Sequence, residues 1–189
     1  MTVLLTTARL TLRALDEADL DQLFALENDP EVMRFLNGGR PTTRRAVRAE
    51  SLPRLLRHHA CIGRPGHWAA EERETGAFLG WFEFRPLEDD RADVVELGYR
   101  LGRAFWGRGY ATEGARGLIR AGFTELCVRR VVAKTMAVNT RSRRVMEKAG
   151  MRYVRTFFED WPDSIDGSES GDVEYALAEK DWRRLSGTV

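Results

Sequence analysis

Alternation of polar and apolar residues predicts strands along much of the chain. The first clear case is RLTLR at residues 9–13, in which apolar side chains occupy every second position. That period of two is the pattern of a strand with one buried face. Similar runs predict further strands at residues 67–72, 77–84, 94–101, 130–138, 151–158 and 173–178.

A period of three to four residues predicts helices between these strands. Asp16 is placed as an N-cap, with Asp19 at the third helical position, and the apolar stripe that follows ends at residues 28–30. The arginine-rich segment at residues 42–59 also has a helical period, which Pro53 is expected to bend or divide. Further helices are predicted through residues 32–36, 110–125 and 140–149, and a short tail is predicted to begin at Asp181 and Trp182.

The order of these elements is β, αα, βββ, α, β, α, β, β. Strands and helices mixed in this way predict a mixed sheet with helices on its faces, of the α+β (α/β-like) class. The 189 residues contain no internal repeat and no linker-like segment, so the chain is interpreted as one domain, residues 1–189.

Composition narrows the function classes. Thirty basic residues balance 29 acidic ones, which argues against a protein that coats nucleic acid. Cys61 and Cys127 are too few for a disulfide framework or a zinc site, and no other residues are spaced as metal ligands, so no metal is expected. Cys127 is expected to be a small buried hydrophobe. The N-terminus lacks the apolar core of a signal peptide and no stretch is long enough to span a membrane, so a cytoplasmic location is predicted.

The segment FWGRGYATEG, at residues 105–114, places two glycines just before a predicted helix. The first turn of a helix has unpaired N–H groups and partial positive charge. Gly107 and Gly109 remove the β-carbons that would block a ligand there, and Arg108 adds a positive charge. The segment therefore suits a phosphate or pyrophosphate, although a simple tight turn explains it equally well. It is neither a Walker loop nor a dinucleotide fingerprint.

The context of this loop carries a family resemblance. ELGYRLGRAFWGRGYATEGARGLIRAGF is followed, after a short strand, by VNTRSRRVMEKAGMRYV. This pair resembles the GNAT superfamily of acyl-CoA-dependent N-acetyltransferases, in particular its RimJ/RimL branch. ARLTLRAL near the start and EYALAEKDW near the end are also similar to that branch, so the resemblance covers nearly the whole chain and is most specific at residues 94–154. The first loop position, commonly Gln or Arg in the superfamily, is Trp106, which is usual in the RimJ/RimL branch.

The resemblance implies a GNAT-type domain with a mixed central sheet of about seven strands, helices on both faces and a splayed central pair that receives the pantetheine arm of coenzyme A. It implies that acetyl-CoA donates an acetyl group to a primary amine by direct attack in a ternary complex, and it allows a homodimer. Backbone amides of residues 107–112 would hold the pyrophosphate, and residues 99–101 and 139 would bind the pantetheine arm. The cofactor-binding positions are thus Tyr99, Leu101, Gly107, Arg108, Gly109, Tyr110, Ala111, Thr112 and Asn139.

The reaction requires a neutral amine and a protonated leaving thiolate. Glu96 is the candidate base, because its apolar strand neighbours would raise its pKa; Glu83 is the second candidate, and either is alternatively a surface glutamate. Ser142 is the candidate proton donor to the coenzyme A sulfur, or else a solvated helix serine. Asn139 is also placed to cap the following helix.

The acceptor stays open among a protein or peptide N-terminus, a free amino acid or polyamine, and an aminoglycoside. The acidic loop at residues 159–172 would attract a cationic amine, or else is a solvated loop. Trp81 would line the acceptor groove or belong to the core, and Arg143 and Arg144 would reach the 3′-phosphate or be solvated on an exposed helix face. Two rival functions are a coenzyme A-binding sensor without turnover and an RNA- or ribosome-binding module. The basic face of that module would be Arg44, Arg45, Arg48, Arg54 and Arg57, and the near-zero net charge argues against it.

Overall fold

The computed structural model describes residues 2–158, 165–185 and 187. Its strands are β1 (Val3–Thr6), β2 (Leu10–Ala14), β3 (His58–His59), β4 (Arg64–Pro65), β5 (His67–Glu72), β6 (Phe78–Glu88), β7 (Arg91–Leu101), β8 (Arg130–Met136), β9 (Arg152–Phe157) and β10 (Asp172–Ala178). Its helices are α1 (Leu20–Glu27), α2 (Pro30–Asn37), α3 (Arg44–Ala46), α4 (Leu52–Leu55), α5 (Tyr110–Glu125), α6 (Thr140–Lys148) and α7 (Glu179–Leu185).

The main sheet has eight described strands in the order β1-β2-β5-β6-β7-β8-β10-β9, and β3 pairs separately with β4. The sequence predicted about seven strands. The added strand is β1, whose four residues VLLT contain three consecutive apolar positions and so show no alternation. It pairs antiparallel with β2 at the edge of the sheet.

The central strands β7 and β8 separate along their length. They are parallel and pair only through residues 94–96 and 130–132, although β7 continues to Leu101 and β8 to Met136. On its other side β7 stays paired with β6 as far as Leu101. A gap therefore opens in the middle of the sheet, as predicted for the splayed pair, and backbone groups along it are available for another partner.

Helices cover both faces of the sheet, which confirms the predicted layers. Helix α5 packs so closely on β6 that a Cβ on Gly114 would lie 2.2 Å from the ring of Phe82, and one on Gly122 would lie 2.7 Å from Phe84. On the opposite face, a second apolar cluster joins α1 and α4 to Ala69 of β5 and Trp81 of β6. The sheet thus has two separate packing layers.

Two sequence predictions concern the helices at residues 16–59: the cap at Asp16 and the effect of Pro53. Asp16 caps the first turn with Asp19 in a capping box, as predicted. The helical segment predicted at residues 42–59 is divided, as expected from Pro53, into α3, a π-helical turn at Val47–Ser51 and α4, because Pro53 lacks the N–H that a continuous α-helix needs. Its last two residues, predicted as helical, form β3 instead.

Two predictions near the end of α5 and the C-terminus were wrong. Cys127 is exposed, not buried, because it occupies a tight turn with a φ of 57°. The segment predicted as a short tail forms α7, and Trp182 packs against Phe123 with ring centroids 5.5 Å apart.

Candidate active site

Helix α5 begins differently from the helical segments that have a side-chain cap. The helical segments that start after Asp16, Asp29, Thr43 and Asn139 each have a side-chain oxygen bonded to a backbone N–H of the first turn. Helix α5 starts after Gly109, which has no side chain to cap it. The Glu113 N–H donates to Gly109 O at 2.9 Å, so the N–H groups of residues 110–112 have no acceptor within the helix.

The two loop glycines leave the backbone accessible. Gly107 and Gly109 have φ of 74° and 85°, values that side chains with a Cβ rarely adopt. A Cβ on Gly107 would meet no atom within 4 Å, and both glycines and Arg108 are exposed. The bare N–H groups, the helix dipole and Arg108 together fit an anion the size of a diphosphate.

Trp106 connects this loop to the splayed strand. Its Nε1 donates to the carbonyl of Leu101 at 2.7 Å, at the end of β7. The guanidinium of Arg141, in the first turn of α6, lies 5.2 Å from the Trp106 ring centroid. The loop and the first turn of α6 are therefore in contact around the end of the gap.

Three predicted residues meet where the gap reaches α6. The Tyr99 hydroxyl lies 3.0 Å from Ser142 Oγ. Burial raises the pKa of Tyr99 well above its usual value, so its hydroxyl stays protonated at neutral pH. The Asn139 side chain accepts from the Ser142 N–H at 3.2 Å and donates to Thr135 Oγ1 at 3.1 Å, so Asn139 is the N-cap of α6. The amide of Asn139 is thus already bonded at both ends.

The two candidate bases are joined by an arginine. The Arg85 guanidinium forms ion pairs with Glu83 on its own strand and with Glu96, which faces Arg85 on β7. Burial raises the pKa of Glu83, the positive charge of Arg85 opposes that rise, and the nearby Glu96 carboxylate adds to it. A Cβ on Gly98 would lie 2.6 Å from Glu83 Oε2, so a side chain opposite Glu83 would displace its carboxylate from this position.

Further polar side chains are buried beside this pair. Arg100 forms an ion pair with Glu27 of α1 at 3.1 Å, and its guanidinium lies 4.9 Å from the Trp81 ring centroid. His67 Nε2 is 3.7 Å from Glu83 Oε1, and burial lowers the pKa of His67 to about 3. Trp81 Nε1, Arg100 Nε and both His67 nitrogens are buried without a hydrogen-bond partner among the described residues. Trp81 thus packs beneath α1 and α4, on the same face of β6 as Glu83 and Arg85.

The two groups of candidate catalytic residues lie on opposite faces of the sheet. In the β6–β7 register, Glu83 faces Gly98 and Arg85 faces Glu96, whereas Phe82 faces Tyr99 on the alternate positions. Since β7 and β8 separate after residue 96, the gap connects the two faces. A proton acceptor on one face and a proton donor on the other can therefore approach one molecule that lies in the gap.

Comparison with known proteins identifies the family. The family model "Acetyltransferase (GNAT) domain" matches residues 9–152. The chain belongs to the GNAT family. The GNAT fold predicted from the sequence is confirmed, and so is the predicted activity: the protein is an acetyl-CoA-dependent N-acetyltransferase.

Two curated relatives are similar over most of the chain. The FsC-acetyl coenzyme A-N(2)-transacetylase of Aspergillus fumigatus is 35% identical over 188 residues, covering 96% of this chain and 78% of the relative. The uncharacterized protein YkkB of Bacillus subtilis is 36% identical over 155 residues, covering 80% of this chain and 87% of the relative.

Solved GNAT structures share the fold. The Bacillus anthracis GNAT-family acetyltransferase has a TM-score of 0.77 at 23% identity, covering 95% of this chain and 99% of that chain. The Vibrio cholerae spermidine N-acetyltransferase, solved with CoA and spermine, has a TM-score of 0.73 at 17% identity, covering 92% and 97% respectively.

The sequence analysis also assigned two arginines of α6 and the acidic loop to this GNAT site. Arg143 points inward, with Nη1 donating to the carbonyl of Ala137 at 3.0 Å and Nε to the Tyr175 hydroxyl at 3.2 Å, whereas Arg144 is exposed. In the acidic loop, Asp172 is buried at the start of β10. Three other acidic residues of this loop, Glu159, Asp160 and Asp163, lie outside the described residues.

Sequence reasoning missed four residues that the structure brings to this GNAT site. Arg85 and His67 contact Glu83, Arg9 contacts the glycine loop, and Glu113 pairs with Arg9. Arg85 could have been predicted from the sequence, because it lies two residues after the candidate base Glu83 on one strand, and alternate residues of a strand share a face. Nothing local in the sequence connects Arg9 with a loop 99 positions later.

The surrounding surface adds two facts. In the basic segment, Arg44 pairs with Asp21 at 2.6 Å and Arg57 with Asp89 at 3.0 Å, so part of its charge is already balanced. No helix among the described residues has the length and apolar character needed to cross a membrane.

Proposed function

We propose that this N-acetyltransferase acetylates the α-amino group of a small molecule, with the donor's diphosphate at the glycine loop and the reacting groups in the gap between β7 and β8. The observation that carries the donor site is the start of α5 on an exposed glycine, without a side-chain cap, at the end of this gap. The acceptor class is supported by the relative named as an N(2)-transacetylase, which matches 96% of this chain.

The chain's own groups for donor binding are mostly backbone. The N–H groups of residues 107–112 would hold the diphosphate, and the exposed Arg108 would add charge. Backbone groups of Tyr99 and Leu101 would bind the pantetheine arm along the gap. Asn139 would act through its backbone and by keeping α6 in place, because its side-chain amide is engaged with Ser142 and Thr135. Acetyl-CoA supplies the acetyl thioester, and these residues would hold it in position.

Proton removal from the acceptor is assigned to the Glu83–Glu96 pair. An α-amine has a pKa near 7.7–8.0 and a lysine amine near 10.4, so at pH 7 neutralising them costs about 1 and about 4–5 kcal/mol respectively. A carboxylate in a partly buried site suits the easier task. Glu83 is favoured over Glu96, because burial raises the pKa of Glu83 toward neutrality. Arg85 would balance the charge of whichever carboxylate stays ionised.

Proton delivery to the departing thiolate is assigned to Ser142 together with Tyr99. Ser142 Oγ lies within hydrogen-bond distance of the protonated Tyr99 hydroxyl, so either group can donate and the other can replace the proton. Both lie on the α5 and α6 side of the sheet, opposite the carboxylates. The acceptor would therefore enter from the face covered by α1–α4.

Three finer predictions accompany this function. The RimJ/RimL-like branch is supported by the WGRGYATE loop, in which Trp106 replaces the commoner Gln or Arg. A cytoplasmic location and a homodimer stay predictions. Nucleic-acid binding is not part of the proposal, since the net charge is +1 and two arginines of the basic segment are already paired.

An acetylation screen with paired amines tests the acceptor class. Purified protein and acetyl-CoA are incubated with Nε-acetyl-lysine, whose α-amine is free, and with Nα-acetyl-lysine, whose ε-amine is free; spermine, kanamycin and a short peptide complete the panel. Mass spectrometry should show acetylation of the α-amine of Nε-acetyl-lysine and little product from the ε-amine. Preferential acetylation of Nα-acetyl-lysine, spermine or kanamycin would overturn the α-amine assignment, and preferential acetylation of the peptide N-terminus would overturn the small-molecule one.

A further inference from the structure

The loop proposed to hold the diphosphate is anchored from outside by Arg9, which immediately precedes β2. Arg9 Nη1 donates to the carbonyl of Arg108 at 3.0 Å, between the two glycines. Its Nε donates to Glu113 Oε2 at 2.7 Å, and its guanidinium lies 4.5 Å from the Tyr110 ring centroid. One planar side chain thus contacts the loop carbonyl, the first residue of α5 and the end of the first helical turn.

The bond to Arg108 O sets the direction of a neighbouring N–H. A trans peptide unit is planar, with its C=O and N–H pointing in opposite directions, and none of the described peptide bonds is cis. Because the Arg108 carbonyl points toward Arg9, the Gly109 N–H points away from it. The Gly109 N–H is one of the donors proposed for the diphosphate. Without the anchor, this peptide unit can rotate more freely, because Gly109, on one side of it, permits many backbone conformations.

Glu113 holds Arg9 in this position. Its carboxylate accepts from the Arg9 N–H at 2.8 Å and from Thr7 Oγ1 at 2.7 Å, in addition to the guanidinium. Partial burial would raise the pKa of Glu113, but the hydrogen bonds from Thr7 and Arg9 outweigh it and keep the pKa below its usual value. The charge of Glu113 is therefore paired with Arg9, although it lies at the end of the helix where an anion is expected to bind.

We propose that Arg9 and Glu113 are a positioning pair, which aligns the Gly109 N–H and so sets the affinity for the acetyl-CoA diphosphate. This inference rests on the proposed donor site. Neither residue needs to contact the donor. An arginine with 46% of its side chain exposed contributes little to stability through its ion pair, so a measurable effect on donor affinity would separate positioning from a merely structural role.

The test compares Arg9→Gln and Glu113→Gln with a matched control, Arg129→Gln. Arg129 is also exposed and also paired with a largely buried glutamate, Glu179, beside α7 and away from the loop. The measurements are the dissociation constant for coenzyme A by calorimetry, kcat and KM for both substrates, and the melting temperature. Both loop variants should raise the dissociation constant and the acetyl-CoA KM about tenfold, the effect of roughly one lost hydrogen bond. The kcat, the acceptor KM and the Arg129→Gln enzyme should stay near wild type.

Backbone NMR relaxation gives a readout that a direct contact would not move. Without any ligand, the order parameter of the Gly109 N–H should be lower in both loop variants, because the peptide unit is no longer held. An Arg9→Lys enzyme, which keeps the charge but lacks the two-pronged geometry, should also bind coenzyme A more weakly than wild type. It serves as the test variant if Arg9→Gln does not fold.

Two results would overturn the positioning pair. In one, folded Arg9→Gln or Arg9→Lys binds coenzyme A as tightly as wild type. In the other, Glu113→Gln binds it as tightly as wild type or more tightly while Arg9→Gln is weakened, which means that Arg9 contacts the donor directly. Failure of the donor site itself is distinguishable, because then Gly109→Trp would also bind coenzyme A normally.

Discussion

The two faces of the β6–β7 pair carry different kinds of side chain. One face carries Phe82 and Phe84, against which the glycines of α5 pack without space for a Cβ. The other carries Glu83, Arg85 and Glu96 and, further along, the largely buried Arg100 and the buried Trp81. The first face is apolar and places a rigid helix; the second is polar and places charged side chains.

This difference separates the two halves of the proposed reaction. On the apolar face, close packing fixes α5, so bare N–H groups at its start can recognise a diphosphate that is the same in every acetyl-CoA. On the polar face, recognition depends on side chains from β5, β6, β7 and α1, which are brought together only by folding. The donor side is therefore recognisable from a local motif and the acceptor side is not.

The largest expected effect comes from placing a large side chain at Gly109, over the exposed backbone of the glycine loop. Gly109→Trp should raise the dissociation constant for coenzyme A by at least about a hundredfold, because the side chain would cover several N–H donors at once. Gly38→Trp is the control for backbone strain: Gly38 has a φ of 73° and open space around its Cβ position, at the end of α2. Calorimetry should show near-normal binding for the control. Equal affinities of the two variants would remove the loop as the donor site.

The next effect concerns the carboxylate pair on the polar face. If Glu83 is the base, Glu83→Gln should lower kcat by about a hundredfold or more and abolish the acidic limb of the pH–rate profile. The limb reflects protonation of Glu83, and its raised pKa places that limb nearer neutrality than for an ordinary glutamate. Glu88→Gln, at the exposed end of the same strand, should behave as wild type.

Glu96→Gln separates the two candidates. Removing the Glu96 carboxylate takes away a charge that raises the pKa of Glu83, so the acidic limb should move to lower pH while activity persists. If instead the acidic limb of the pH–rate profile is absent in Glu96→Gln and present in Glu83→Gln, Glu96 is the base, as first predicted from the sequence.

The polar face should also make the fold sensitive to acid through His67. An unfolded histidine has a pKa near 6.5, whereas burial lowers the pKa of His67 to about 3. Between these values the unfolded chain binds a proton that the folded protein excludes, so the free energy of unfolding decreases as the pH falls. At pH 4.5 the loss through His67 is about 2–3 kcal/mol.

Urea unfolding at pH 7.5 and pH 4.5 measures this loss. His67→Gln should lose about 2–3 kcal/mol less than wild type between the two pH values. His58→Gln, at an exposed position, should match wild type. An unchanged pH dependence in His67→Gln would show that the polar face admits the charged imidazole.

These contrasts explain what the sequence could predict. Strands such as β5 and helices such as α5 followed from local periodicity, and the glycine loop followed from a ten-residue segment. β1 was missed because four residues are too few to show a period, and Cys127 was misplaced because its turn depends on the geometry between α5 and β8. Glu83 and Glu96 were both found as strand glutamates, but their shared arginine and unequal pKa shifts depend on the pairing of β6 with β7.

The smallest expected effect tests the connection between the two faces. Ser142→Ala should lower kcat only about tenfold and leave the coenzyme A affinity nearly unchanged, because the Tyr99 hydroxyl, 3.0 Å away, remains as a proton donor. Tyr99→Phe combined with Ser142→Ala should lower kcat by more than the product of the two single effects, since each hydroxyl replaces the other. Thr140→Ala, at the exposed start of α6, serves as the control. A Ser142→Ala enzyme with wild-type kcat, together with strictly multiplicative effects in the double variant, would contradict delivery of the proton from this side of the gap.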